Sequence, residues 1–143
     1  DLKSFKVFLL DVGLLRAMSR VSPKVILEGS RIFEEFKGAL TEQYVCQELQ
    51  NYSDVLETNY YWSSSATAEV DFLVSDGWDV YPLEVKAGVT MNAKSLKLYR
   101  EKYSPKWALR TSLLAYEKNE ASKTINIPLY MLFVLGNELD AES

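Results

Sequence analysis

Two neighbouring stretches of the chain carry charged side chains in the alternating pattern of β-strands. Residues 68–74 read Ala-Glu-Val-Asp-Phe-Leu-Val, and residues 81–88 read Tyr-Pro-Leu-Glu-Val-Lys-Ala-Gly. Since successive side chains of a strand point to opposite faces, Glu69 shares a face with Asp71, and Glu84 shares one with Lys86. The short turn-like link at 75–78 favours a hairpin, which brings three carboxylates and one ammonium together. Because ionised groups are costly to desolvate unless they are paired or bind a metal, the pattern predicts a charged site on a β-sheet.

The composition excludes several kinds of chemistry. The 143 residues include no histidine and one cysteine, Cys46, which we expect to be a packing residue. Without histidine there is no Ser-His-Asp or Cys-His catalysis, and zinc is a poor candidate for the metal. A single thiol forms no internal disulfide, which fits a reducing compartment and predicts a cytoplasmic location. No apolar run approaches the roughly 20 residues of a membrane span, so no membrane partner is expected.

The periodicity of apolar residues predicts one α/β domain. Residues 31–52 repeat apolar side chains at steps of three and four, as an amphipathic helix does. Gly38 lies inside this helix, where we expect close packing against another element. A second helix is predicted from Thr90 or Asn92 to Tyr103. Strands are predicted at 58–63, 68–74, 81–88, 107–114 and 125–127, which gives a mixed sheet with a helix on each face.

The start of the chain is predicted to be a strand at Phe5–Leu10 and a short helix at 12–18, ended by the Ser-Pro pair at 22–23. The chain opens on Asp1 and passes directly into the strand-like run. We therefore expect a fragment of a longer protein, in which residues 1–27 lead from an upstream part and 28–143 form the domain.

The charge of the chain is unevenly distributed. The net charge is −4, which argues against bulk attraction to nucleic acid. Between residues 86 and 110, however, seven cations stand against one anion. Lys94, Lys97 and Arg100 on the second helix are therefore candidates to contact phosphates. A solvated helix face explains the same pattern about equally well.

The order of elements resembles that of the PD-(D/E)XK nuclease-like superfamily, in which a helix glutamate joins an aspartate on the second strand and a Glu/Asp-x-Lys on the third. The matching positions in this chain are Glu42, Asp71, Glu84 and Lys86. The resemblance implies a restriction-endonuclease-like αβββαβ core, with a mixed sheet flanked by helices.

Two positions depart from the superfamily pattern. Val70, not proline, precedes the strand aspartate. Ser95 stands four residues before Tyr99, where some exonuclease branches carry a glutamine that guides the substrate.

A closer resemblance extends over nearly the whole chain. It rests on residues 5–15, Gly-Ala-Leu-Thr-Glu at 38–42, Tyr-Trp-Ser at 61–63, Ala-Glu-Val-Asp-Phe at 68–72 and Glu-Val-Lys-Ala-Gly at 84–88. These runs look like the uncharacterised C-terminal domain of a prokaryotic AAA+ ATPase family, which follows the ATPase and winged-helix parts. The resemblance implies an upstream ATPase module as a partner in cis, with ATP bound only there, since nothing like a phosphate-binding Gly-Lys-Ser/Thr loop occurs here.

The predicted site suits metal-dependent hydrolysis of phosphodiester bonds. Carboxylate oxygens are ligands for hard cations, so Asp71 and Glu84 are expected to bind Mg²⁺ or Mn²⁺. Glu42 is expected to hold a second cation or a water of the first. Lys86 is expected to orient the attacking water or to stabilise charge in the transition state. DNA is the expected substrate.

Other functions stay open. The domain is alternatively a catalytically inactive module that joins the ATPase to a partner or to itself, through residues 60–62 and 129–135, although such stretches are more often core. A third reading is regulation by sensing nucleic acid without cleavage. In these readings Glu84 or Glu69 forms a structural ion pair with Lys86, and Glu42 is an exposed helix residue. The sequence leaves catalytic activity undecided and is compatible with an oligomer.

Overall fold

A computed structural model describes residues 5–20, 31–51, 57–65, 67–89 and 94–140. The proposed helix caps Thr90 and Asn92, the Ser-Pro pair at 22–23 and the boundary at 27–28 lie outside these ranges. By its contacts the chain divides into two units, residues 1–47 and 48–143.

The first unit contains helix α1 (Val12–Ser19) and most of helix α2 (Arg31–Gln50). Asp11 begins α1, because its carboxylate accepts a hydrogen bond from the Leu14 amide at 2.8 Å. This bond satisfies one of the amides that have no partner within the helix. Arg20 ends α1 in the left-handed conformation, with φ of 53°.

The prediction of a strand at Phe5–Leu10 is wrong, since residues 5–9 have no regular secondary structure. Side chains of α2 bind this segment instead. Gln43, which is buried, accepts a hydrogen bond from the Leu9 amide and donates one to the Leu9 carbonyl, both at 2.8 Å. Gln47 accepts a hydrogen bond from the Val12 amide at 3.1 Å. A glutamine amide thus satisfies the backbone groups for which a neighbouring strand would otherwise be needed.

Close packing at Gly38 was also expected, and this expectation is wrong. Among the described residues, apart from its chain neighbours and the backbone of its own helix, no atom lies within 4 Å of the position that a Cβ would take. Gly38 does not have the positive φ that would require glycine, unlike Gly77, whose φ is 90°. The helix therefore accepts the cost of glycine at this position without a visible packing reason.

The second unit contains the last residues of α2, a sheet and three further helical segments. The strands are β1 (Glu57–Ser63), β2 (Glu69–Ser75), β3 (Val80–Val85), β4 (Ala108–Ser112), β5 (Glu117–Asn119) and β6 (Thr124–Pro128). Helix α3 (Lys94–Tyr103) connects β3 to β4. A 3-10 helix (Leu129–Val134) and helix α4 (Leu135–Asp140) follow β6.

The six strands form one mixed sheet in the order β1-β2-β3-β4-β6-β5. Strands β1, β2 and β3 are antiparallel neighbours, whereas β4 runs parallel to β3 and β6 runs parallel to β4. The parallel pair β3–β4 needs a crossover connection, which α3 provides. The α/β class and the mixed sheet are thus confirmed. Strand β5, a polar Glu-Lys-Asn edge segment antiparallel to β6, was not predicted from the sequence.

The centre of the sheet is buried on both faces. Every residue of β4 is buried, as is every residue of β3 and β6 except the first. One face is mainly apolar and presents Val70, Phe72, Val74, Leu83, Val85, Leu109, Ile125 and Ile127. Helix α3 packs against β2 and β3, with Leu96 and Tyr99 buried. No helix within the described ranges is both long and apolar enough to cross a bilayer.

Candidate functional site

Asp71 and Glu84 lie beside each other on the face of the sheet opposite the apolar residues. The register of β2 and β3 pairs Phe72 with Leu83, and its continuation by one residue brings Asp71 opposite Glu84. The Val85 amide donates a hydrogen bond to Asp71 Oδ2 at 2.8 Å. This bond fixes the Asp71 carboxylate against the end of β3, because a bond to a main-chain amide restricts the side chain to few rotamers.

Lys86 follows the last residue of β3 and forms an ion pair with Glu84. Its Nζ lies 2.6 Å from Glu84 Oε1, and the side-chain exposures are 27% for Lys86 and 7% for Glu84. The Lys86 amide donates to the Thr111 carbonyl at 2.9 Å, which keeps this residue beside β4. The sequence suggested Glu84 or Glu69 as the ion-pair partner of Lys86, and in the structure the partner is Glu84. Glu69 is exposed, and its amide bonds to the Ser95 hydroxyl at 3.2 Å.

Arg110 and Asn126 extend this polar region across the sheet. Glu84 is paired in register with Arg110 on β4, and Arg110 is paired with Asn126 on β6. Both Arg110 and Asn126 are buried. Arg110 Nε donates to Asn126 Oδ1 at 3.0 Å, and the Ser112 hydroxyl donates to the same oxygen at 2.8 Å. Asn126 in turn donates to the Ala115 carbonyl at 2.8 Å, so its amide orientation is fixed by its neighbours.

We call Asp71, Glu84, Arg110 and Asn126 the polar row, since they occupy four adjacent strands on one face. Two carboxylates and the cations Arg110 and Lys86 balance each other, which reduces the cost of burying charge. Burial lowers the pKa of the Arg110 guanidinium, and the charge of Glu117 opposes this effect. Arg110 and Asn126 were not predicted from the sequence to be site residues. The sequence feature that could have indicated Arg110 is that it is a charged residue within the otherwise mainly uncharged predicted strand at 107–114.

Glu42, the fourth residue suggested by the resemblance, belongs to the first unit. It lies on α2, and its Oε2 is 3.4 Å from the Nζ of Lys6. The structure thus brings Asp71, Glu84 and Lys86 together within the second unit, while Glu42 pairs with a lysine of its own unit.

The donor set of the polar row restricts the kind of metal site that it suits. Within the described ranges, no group of three or more His, Cys, Asp or Glu side chains is placed to hold a metal ion. Asp71 and Glu84 supply two carboxylates. Mg²⁺ is commonly bound by one or two carboxylates together with waters and substrate phosphates. The residues present fit a site of that kind and do not fit a cage made by the protein alone.

The three cations predicted to contact phosphates all lie on α3. Lys94 and Lys97 are exposed and Arg100 is half-buried. Lys97 lies 3.9 Å from Glu101 one turn later, with both side chains largely in solvent. Such an exposed pair stabilises a helix by only about 0.3–0.5 kcal/mol, so Lys97 is readily released to bind an anion.

Aromatic side chains of β1 and α3 form one wall of a groove. The Trp62 ring packs edge-on against Tyr99 and Tyr103, with centroid distances of 5.4 and 6.2 Å. Trp62 Nε1 also donates to the Tyr103 hydroxyl at 3.2 Å. The groove has a volume of about 510 Å³. We call it the aromatic groove; its lining includes Trp62, Trp78, Asp79, Tyr99, Tyr103 and Lys106.

The two stretches considered as contact surfaces are each partly buried. In residues 60–62, Tyr60 is exposed, and Trp62 is half-buried in the aromatic groove. In residues 129–135, Leu132 and Leu135 belong to the core, whereas Tyr130 and Phe133 are exposed. Core packing therefore explains part of 129–135, whereas the residues of 60–62 are exposed or half-buried.

The fold and the site define a class of protein: an α/β domain with a mixed six-stranded sheet and a row of ionised and polar side chains across one face of its central strands. Residues 37–132 match the family described as "Domain of unknown function (DUF4143)", and the chain belongs to this family. The matched residues include the polar row and the aromatic groove. No curated protein and no solved structure matches the chain.

Proposed function

We propose that this domain has a PD-(D/E)XK nuclease-like, restriction-endonuclease-like core and hydrolyses phosphodiester bonds of DNA with the help of Mg²⁺ or Mn²⁺. The observation that carries the proposal is the convergence of Asp71, Glu84 and Lys86 on one face at the end of β3. The order of α2, β1, β2, β3, α3 and β4 along the chain supports the same core.

Asp71 and Glu84 are the residues that would hold the cation. A divalent cation bound there supplies Lewis-acid chemistry, by neutralising phosphate charge and favouring ionisation of a water. The bond from the Val85 amide orients Asp71 in advance. Such preorganisation lowers the cost of binding, because the carboxylate has little rotamer freedom left to lose.

Lys86 is the residue that would act on the substrate. Its ammonium is the more exposed partner of the ion pair with Glu84, so it can donate a hydrogen bond to a phosphate oxygen at the surface. A cation directed at oxygens on which charge develops stabilises the transition state more than the ground state. Arg110 is paired in register with Glu84, so a second cationic residue occupies the neighbouring strand on this face of the sheet.

We further propose that the domain is the C-terminal part of a prokaryotic AAA+ ATPase. The runs at 38–42, 61–63, 68–72 and 84–88 support this assignment. In such an arrangement ATP acts in the upstream module, and the nuclease-like domain is its effector.

One observation favours a second candidate, a catalytically inactive interaction or regulatory module. The Glu84 carboxylate already has a cation 2.6 Å away, and within the described ranges no group of three metal-ligating side chains is present. An ion pair of this geometry balances the charge of the buried carboxylate without a metal. In that case the polar row holds the sheet together rather than acting on a substrate.

Calorimetric titration with Mn²⁺ and Mg²⁺, followed by a cleavage assay on labelled DNA, separates the two candidates. Asp71→Asn preserves the acceptor for the Val85 amide and removes the charge. Glu120→Gln is the matched control. Glu120 is an exposed carboxylate that follows β5, the edge strand at the opposite end of the sheet from β1. We expect metal binding in the native chain and in Glu120→Gln, and none in Asp71→Asn.

In the cleavage assay, Lys86→Ala is expected to keep metal binding and to lose cleavage by about 100-fold or more, the usual effect of removing one transition-state donor. No metal binding by the native chain would favour the inactive module. Binding that survives in Asp71→Asn would reject the polar row as the metal site.

A further inference from the structure

The aromatic groove takes no part in the chemistry described above, although it lies on the same sheet. Leu73 of β2 lines it, two residues along the strand from Asp71. The most exposed aromatic residue that lines the groove is Trp78, with 93% of its surface in solvent. Water contacts nearly the whole of a large apolar ring, which is costly because apolar surface is stabilised by burial. A ligand that covers this ring would remove that cost.

The backbone that carries Trp78 is fixed even though its ring is exposed. The Trp78 amide donates to Asp76 Oδ1 at 2.8 Å, and the Asp79 amide donates to the same oxygen at 2.8 Å. Gly77, with φ of 90°, allows the tight turn between them. Elsewhere in the lining, Trp62 and the two tyrosines hold one another through their edge-to-face contacts. The backbone that carries Trp78 and the rings of Trp62, Tyr99 and Tyr103 are therefore held in place before a ligand binds.

The surroundings of the groove are basic. From residue 94 to residue 106 the chain carries five cations, Lys94, Lys97, Arg100, Lys102 and Lys106, and one anion, Glu101. Lys106 lines the groove itself, and Lys102 Nζ lies 5.0 Å from the centre of the Tyr103 ring. Hydrogen bonds with Lys102 and Trp62 lower the pKa of the Tyr103 hydroxyl, as expected beside a cation.

We propose that the aromatic groove binds a base of a single-stranded nucleic acid, and that the flanking phosphates contact the cations of α3 and Lys106. Proteins that bind single strands combine aromatic rings, on which bases stack, with cations that follow the backbone. The bases of a duplex are stacked on one another, so their flat faces are not available to a groove of this kind. Asp79, the one carboxylate in the lining, accepts hydrogen bonds and suits the amino groups of a base.

This inference deepens the proposed function, on which it rests for the identity of the ligand as DNA. Trp62 is paired in register with Val70, so this wall of the groove lies on the apolar face of the sheet, and the polar row lies on the opposite face. The groove and the polar row would therefore contact different parts of one DNA strand. The groove would then select a single-stranded region of the substrate, while the polar row carries out the hydrolysis.

Fluorescence anisotropy with a short labelled oligonucleotide tests the proposal on the whole chain, in the presence of a chelator so that no metal contributes. The three probes are a single strand, the matching duplex and an abasic strand with the same sugar-phosphate backbone. We expect the single strand to bind about tenfold or more tightly than the abasic strand, since stacking contributes about 1–3 kcal/mol per base.

Trp78→Ala is expected to weaken single-strand binding by about tenfold, by the same stacking energy, and Trp78→Phe by less. Phe133→Ala, an exposed aromatic residue outside the groove, is the matched control and should bind as the native chain does. Because Trp78 is almost wholly exposed, loss of folding would not explain the result. Affinity that is equal for abasic and normal strands, preference for the duplex, or a Trp78→Ala variant that binds normally would each overturn the proposal.

The outcome is separable from that of the proposed function. Glu120→Gln lies outside both the polar row and the aromatic groove and is expected to leave single-strand binding in chelator unchanged. If neither metal binding nor cleavage is found and binding still depends on Trp78, the groove stands and the nuclease proposal fails. If cleavage is found and single-strand binding does not depend on Trp78, the nuclease proposal stands and the groove proposal fails.

Discussion

Lys86 Nζ lies 2.6 Å from Oε1 of Glu84, whose side chain is almost fully buried while that of Lys86 is about a quarter exposed. The pair is therefore asymmetric. Glu84 needs a cation, because an ionised carboxylate at this depth is otherwise strongly destabilising. Lys86, at the boundary with solvent, is able to find other partners. This asymmetry allows one ammonium both to stabilise the folded chain and to face a ligand.

Removing Lys86 should destabilise the protein more than removing both members of the pair. We expect Lys86→Ala to lower the free energy of unfolding by about 1–3 kcal/mol, less than for a fully buried pair because Lys86 is partly exposed and Arg110 stays beside Glu84. The double variant Glu84→Gln/Lys86→Ala should recover part of this loss. Urea denaturation of the native chain, both single variants and the double variant gives the coupling energy. Additive effects would show that the contact contributes nothing to stability.

Gln43 should be important for anchoring the segment before α1. Gln43→Leu preserves apolar volume but removes both bonds to Leu9, each at 2.8 Å. We expect faster hydrogen exchange at the Leu9 amide and a loss of about 1–3 kcal/mol, the usual cost of leaving buried backbone groups without partners. Gln47→Leu removes the single bond to Val12 and should have a smaller effect. Equal exchange rates at Leu9 in the native chain and in Gln43→Leu would contradict this account.

Gly38→Ala should stabilise the protein. The site is in the middle of α2 with open space for a Cβ, and alanine favours the helix by about 1 kcal/mol over glycine. Thermal denaturation should show a higher midpoint. Gly77→Ala is the matched control and should lower it, because φ at Gly77 is 90°, a conformation that L-residues adopt at a cost. A lower midpoint for Gly38→Ala would mean that the glycine has a packing role after all.

Asp76 should make stability dependent on pH in the acid range. Burial by itself raises the pKa of this carboxyl, but hydrogen bonds from the Asp79 and Trp78 amides and the Tyr81 hydroxyl outweigh burial and lower the pKa below its ordinary value. A lowered folded-state pKa means that the ionised group stabilises the fold above the unfolded-state pKa. That contribution is lost as the pH falls through the folded-state value.

Asp76→Asn, which retains the acceptor Oδ1, should therefore be less stable than the native chain at neutral pH. The difference should shrink as the pH falls below about 4, the ordinary pKa of aspartate. Unfolding by urea across this range measures it, and a carbon NMR titration of the Asp76 carboxyl gives the pKa directly. A stability difference that is constant with pH, or an unshifted titration, would contradict the prediction.

The sequence by itself determined the local elements and much of the site. The alternation around Asp71 and Glu84 was sufficient to predict β2 and β3 and the faces of their charged residues, because a strand's period of two is a local property. The apolar repeat predicted α2 in the same way, and the turn-like link between β2 and β3 predicted the hairpin. These predictions succeeded because the residues that specify them are close together in the chain.

Only the tertiary structure decided which distant residues meet. Arg110 lies beside Glu84, and Asn126 beside Arg110, because β4 and β6 join the sheet through parallel pairings whose register is fixed by packing across the whole sheet. The apolar run at Phe5–Leu10 is locally strand-like, yet no strand forms there, and Gln43, more than thirty residues away, bonds to both backbone groups of Leu9. A local pattern specifies what a segment is able to form, whereas the partner available in three dimensions decides what it does form, since backbone groups can be satisfied in more than one way.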